Sequence, residues 1–152
     1  MRTTNAMAAG FSLIEVLIAL LVLSVGLLGL AALQANTLQF NQSAYLRSQA
    51  TNLAYDMADR MRANREAALA GAYDEGFADP VPACGDAAAG TVVEQDIDAW
   101  RNSLICALPT GNGSIDVNGG VVTITVRWNE DRRPELLEAG ESDELFVMTT
   151  GL

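Results

Sequence analysis

The 152-residue chain contains no lysine and no histidine. Without histidine there is no imidazole base and no histidine metal ligand. Without lysine, Schiff-base and Ser-Lys schemes fall away. No serine stands in a Gly-x-Ser-x-Gly elbow and there is no phosphate-binding loop, so nothing in the chain points to an enzyme. Positive charge is scarce as a whole, with nine arginines against nineteen acids and a formal net charge of −10. The deficit is one-sided. Residues 11–65 hold four Arg against Glu15, Asp56 and Asp59, whereas residues 66–152 hold four Arg against sixteen acids. That acidic half argues against nucleic acid and against docking on anionic lipid, since both require clustered cations. It reads instead as a solubilising surface. Cysteine is limited to Cys84 and Cys106, neither in a CxxC nor beside a histidine, which speaks against metal binding. There are no internal repeats.

What the chain does have is one long greasy run, Phe11–Leu33, behind a short polar leader that ends at Gly10. About 23 residues at about 1.5 Å each cover roughly 35 Å, enough for a hydrocarbon core. An ordinary secretory signal would place small residues after its apolar stretch; here Ala8, Ala9 and Gly10 come before it. A plain transmembrane anchor fits the length but leaves Glu15 unexplained. A carboxylate in such a span costs roughly 3 kcal/mol or more at the bilayer centre, so it calls for a cation. If the chain is cut after Gly10, the new α-amino group of Phe11 lies about one turn from Glu15. Such an amine could partner the acid of a neighbouring chain.

The stretch Gly10-Phe11-Ser12-Leu13-Ile14-Glu15-Val16 resembles the class III signal of type IV pilins and pseudopilins. The resemblance implies a prepilin whose leader is removed by a membrane prepilin peptidase between Gly10 and Phe11, with N-methylation of Phe11. It also implies that Glu15 serves assembly by meeting the Phe11 amine of a neighbouring subunit. Two features depart from the common pattern. The leader carries only Arg2, a weak orientation signal. The run has Ala32 and Leu33 where major pilins carry a proline, which favours a minor subunit. Gly26 and Gly29 are three apart, not four, and read as weak points in a helix.

The helical pattern continues beyond the run. Leu46, Ala50, Leu53, Met57 and Met61 mark one face. Asp56 with Arg60 and Asp59 with Arg62 place opposite charges on the wet side. This predicts one helix from about Phe11 to about Leu69, ending before Gly71. Residues 71–93 read as loop. A second helix, about Glu94 to Leu108, has Ile97, Trp100, Leu104 and Leu108 as its buried stripe and Pro109 and Gly111 as its stop. Its early acids Glu94, Asp96 and Asp98 suit the helix dipole. The period then changes to two, with Val122, Ile124, Val126 and Trp128 alternating with Thr123, Thr125 and Arg127. Asn118-Gly119-Gly120 is a hairpin signal joining this strand to Ser114–Val117. Leu145–Thr150 is a last strand. The expected fold is α+β and pilin-like, a long helix packed on a small antiparallel sheet with a second short helix. Its segments are a leader at 1–10, a transmembrane and assembly helix at 11–35, an amphipathic continuation at 36–70 and a periplasmic head at 71–152.

Two cysteines in an exported head read as a Cys84–Cys106 disulfide, with free buried thiols as the alternative. Asp131, Glu135, Glu138, Glu141, Asp143 and Glu144 crowd one loop. A solvated acidic loop is preferred there over a Ca²⁺ site, because the spacing does not fit an EF-hand; no cofactor is expected. The stretch Asn52–Asn64, the segment Trp100–Leu104 with Leu108-Pro109, and the strand end Val126-Arg127-Trp128 resemble the PilV group of minor pilins. That resemblance implies a subunit that helps initiate pilus assembly with other minor pilins and the major pilin, near the tip with a large adhesin. It would sit as a single-pass protein of the inner membrane with a periplasmic C-terminal domain before entering a cell-surface pilus. The alternatives are a pseudopilin of type II secretion and, in another class, a membrane-anchored periplasmic binding module.

Overall fold

The computed structural model describes residues 10–85, 90–130 and 143–152. Two compact units divide at Asn41 and Gln42. The first is the N-terminal part of α1, the helix Leu13–Ala63. Its apolar side chains are exposed all round, and its length and composition suffice to cross a membrane. Its hydroxyls are satisfied within the helix, Ser24 donating to the Leu20 carbonyl (2.6 Å) and Thr37 to that of Leu33 (2.9 Å). Back-bonding of this kind removes the cost of a polar group in an apolar span.

The second unit begins with the rest of α1. Its buried face is Leu46, Ala50, Ala54, Met57, Ala58 and Met61. Leu53, expected on that stripe, is only half-buried, and Ala54 and Ala58 take the central places. Small residues there let other elements approach α1 closely. Thus the Trp100 indole N–H donates to the Leu53 carbonyl at 2.9 Å.

The single helix expected to reach Leu69 is interrupted at Asn64, whose backbone (φ −117°, ψ 48°) is not helical. A short helix, α2 (Arg65–Leu69), follows. Asn tolerates such conformations because its side chain can bond locally. Here the Asn64 amide donates instead to the hydroxyl of Tyr73 (3.2 Å), nine residues on. Tyr73 is fully buried and donates in turn to Asp96 (2.8 Å), which also accepts from Arg60 (3.2 Å). Burial and the bond to Asp96 raise the Tyr73 phenol above its ordinary pKa. Arg60 keeps its expected bond to Asp56 (2.9 Å), and Arg62 its bond to Asp59 (2.7 Å). Arg60 is therefore part of an inter-element lock and not only a surface pair. The dipole accounts for Asp96 only in part.

The next helix, α3 (Val92–Ala107), starts two residues earlier than expected. Thr91 caps it in a reciprocal capping box with Glu94. The bonds from Thr91 hold the Glu94 carboxyl below its ordinary pKa. Ile97, Trp100, Leu104 and Leu108 are buried as expected. The disulfide Cys84–Cys106 is formed, with Cα atoms 5.1 Å apart, and it joins the preceding loop to the end of α3. The same loop is pinned by Gly85 N–H on Asn102 (2.9 Å) and by a two-bond pairing of Asn112 with the Ala78 backbone (3.1 and 2.9 Å).

Three strands make an antiparallel meander in the order β1 (Asn112–Asn118), β2 (Val121–Asn129), β3 (Asp143–Gly151). Gly119 and Gly120 both have positive φ (59° and 86°) and form the two-residue turn of the first hairpin. On the inner face of β2, Val122, Ile124, Val126 and Trp128 alternate as expected and are fully buried. Gly113 is required by packing, since a Cβ there would collide with the Trp100 ring and come within 2.7 Å of Leu104. Glu75 adds a two-bond bridge to Ile115 on the outer edge of β1. The α+β reading is borne out: a long N-terminal helix whose second part packs on a small antiparallel sheet, with short helices.

Candidate processing and assembly site

The site begins where α1 begins. Gly10, Phe11 and Ser12 are non-helical, and Phe11 is 84 % exposed. Ser12 ends the irregular segment by capping the helix. Its hydroxyl accepts the Glu15 N–H at 3.2 Å, while its carbonyl accepts from Glu15 and Val16 (3.1 and 3.3 Å). These bonds satisfy donors that a helix start leaves orphaned. Ser12 was not among the expected functional residues, although the Ser-x-x-Glu spacing that marks a capping box was visible in the sequence.

Glu15 is the acid of the first turn of α1 and is exposed. No charged residue follows it until Arg47. Among the described residues no group bonds to its carboxylate. Gly10 has nothing within 4 Å of the place a Cβ would occupy. Packing among the described residues therefore does not demand glycine there.

Elsewhere the expected sites resolve into structure. The segments Asn52–Asn64, Trp100–Leu104 and Val126–Trp128 supply Met57, Met61, Trp100, Leu104, Val126 and Trp128 to one core. Of the acidic loop, Asp131, Glu135, Glu138 and Glu141 lie outside the described residues. Glu144 is the second residue of β3 and pairs with Arg47 (2.7 Å). Among the described residues no three acidic or cysteine side chains converge as metal ligands.

A membrane-length helix headed by one acid thus leads, along the chain, into an α+β domain. Two family models match adjoining stretches of this chain, together residues 5–81. The prokaryotic N-terminal methylation motif matches residues 5–31, and the family described as type IV pilin Tt1218 matches residues 32–81. These matches support a type IV pilin. No curated protein and no solved structure matches it.

Proposed function

We propose that this pilin is a minor subunit, similar to the PilV group, that helps prime a type IV pilus and is incorporated near its tip. Its leader is removed between Gly10 and Phe11 by a prepilin peptidase, and Phe11 is N-methylated. Before assembly the chain is a single-pass protein of the inner membrane with its C-terminal domain in the periplasm. The observation that carries this reading is Glu15, a carboxylate with no partner among the described residues, at the head of an exposed apolar helix.

Subunits joined head to tail through unlike surfaces build open helical filaments. When such helices gather into a shared core, an unpaired carboxylate and an unpaired amine are each costly, whereas a pair offsets both and checks axial register. In this reading Glu15 of one subunit meets the Phe11 amine of the next.

Replacing Glu15 by Gln keeps shape and hydrogen bonding but removes the charge. Glu15→Gln should leave leader removal intact and reduce co-purification of other pilins with the tagged protein from native membranes. Normal recovery of partners and normal pilus number with Glu15→Gln would show that the charge does not recruit this subunit. The identity of the partners separates a pilus from a type II secretion machine.

A further inference from the structure

We infer that Ser12 is a positioning residue for leader removal: by fixing the start of α1 it keeps the Gly10–Phe11 peptide bond out of the helix and open to the peptidase. This rests on the reading that the chain is cut at that bond. In the cut, water adds to the Gly10 carbonyl carbon, the C–N bond breaks, and Phe11 leaves as an amine carrying the proton. The Gly10 carbonyl must therefore be accessible and free to polarise. A carbonyl inside a helix is neither, because it accepts the N–H four residues on.

The first intrahelical bonds fall on the carbonyl of the cap residue, and here that residue is Ser12. Its hydroxyl on the Glu15 N–H holds the start at Leu13. Take the hydroxyl away and the next good cap upstream in the sequence is Gly10, since Phe11 is a poor one. A helix capped at Gly10 would have the scissile carbonyl accept the Ile14 N–H. Alanine at position 12 would favour that shift, being the best helix former. The serine thus protects the bond to be cut by taking over the bonding role its carbonyl would otherwise fill. None of the described residues crowds Gly10, so once the bond is held outside the helix the peptidase meets an open backbone on that side.

The test uses the full-length precursor in membranes with purified prepilin peptidase, followed in time by intact mass. The variants are Ser12→Ala and Ser12→Asn, and backbone hydrogen exchange is measured at Ile14 in each precursor. Ser12→Ala should be cut about fivefold more slowly, the population shift expected for losing one cap, and should gain protection at Ile14. Asn caps as well as Ser, so Ser12→Asn should be cut within about twofold of wild type without that gain. Equal rates for wild type and Ser12→Ala would overturn the inference. So would a slow Ser12→Ala without new protection at Ile14, or an Asn variant as slow as Ala, because the enzyme would then be reading the serine itself. A wild-type precursor cut elsewhere, or not at all, would instead remove the processing reading beneath it.

Discussion

Breaking the Cys84–Cys106 bridge should lower the stability of the domain that begins at Gln42 by about 3 kcal/mol. The bridge closes a segment with a sequence separation of 22. In the chain-entropy account, freeing a loop of that length returns about 3 kcal/mol of conformational freedom to the unfolded state. The native contacts of the loop do not depend on the sulfurs. Asn112 still pairs with Ala78, Gly85 with Asn102, and Arg101 with Glu75 (2.9 Å) and the Gly76 carbonyl (2.8 Å). The Cys84→Ser, Cys106→Ser double variant should therefore keep its fold and melt roughly 12–24 °C lower, at about 4–8 °C per kcal/mol for a domain near this size. Urea titration followed by tryptophan emission is well placed to read this, because Trp100 and Trp128 are both fully buried and redden together on unfolding. The slope with denaturant should stay the same or rise slightly, as the uncross-linked unfolded chain exposes more surface. A loss below about 1 kcal/mol would refute the reasoning. So would a native state already lacking the Trp signal, which would mean the bridge holds the core together directly.

Two further expectations concern the joints between elements. Asp96→Ala should cost about 1–3 kcal/mol, since it leaves the buried Tyr73 hydroxyl without its acceptor and strips Arg60 of its inter-element partner; chemical denaturation at neutral pH reads it, and a loss no larger than that of an exposed-site control would contradict the lock at Asn64. Thr91→Ala should cost about 1 kcal/mol through loss of the α3 capping box. Because the folded Glu94 carboxyl titrates below its ordinary value, its contribution is present at neutral pH and disappears as the pH falls through the depressed folded pKa. The gap between wild type and Thr91→Ala should thus narrow in acid, and a gap that widens there would go against the box.

Local signals carried most of the fold. The stripe on α3, the alternation of β2 and the Gly119-Gly120 turn are each decided within a few residues, and each is found where expected. What escaped depends on partners distant in sequence. Asn64 breaks the long helix in concert with Tyr73, and nothing near it in the sequence marks Tyr73 as its partner. Asp96 looked like a dipole residue because its partners Tyr73 and Arg60 come from 23 and 36 residues away. The buried face of α1 passes through Ala54 and Ala58 and not Leu53, because close approach favoured small residues over the larger apolar ones that a stripe count rewards. The capping box at Thr91 and the cap at Ser12 were legible as Thr-x-x-Glu and Ser-x-x-Glu and were overshadowed by the hydrophobic patterns that follow them. At the candidate processing and assembly site, Gly10, Phe11 and Glu15 could be singled out from sequence, since an acid in an apolar run is conspicuous. That the Gly10–Phe11 peptide bond lies outside the helix, which starts at Leu13, shows only in the backbone geometry.

The proposed role requires that this chain be processed at Gly10–Phe11 and enter a filament through Phe11 and Glu15. The most direct test is the intact mass of the protein recovered from sheared pili of the native host. The expected result is a chain that begins at Phe11, lighter by ten residues and heavier by one methyl group. A recovered chain that keeps its leader, one cut near Leu33, or a processed chain found only in membranes and never in pili would contradict it.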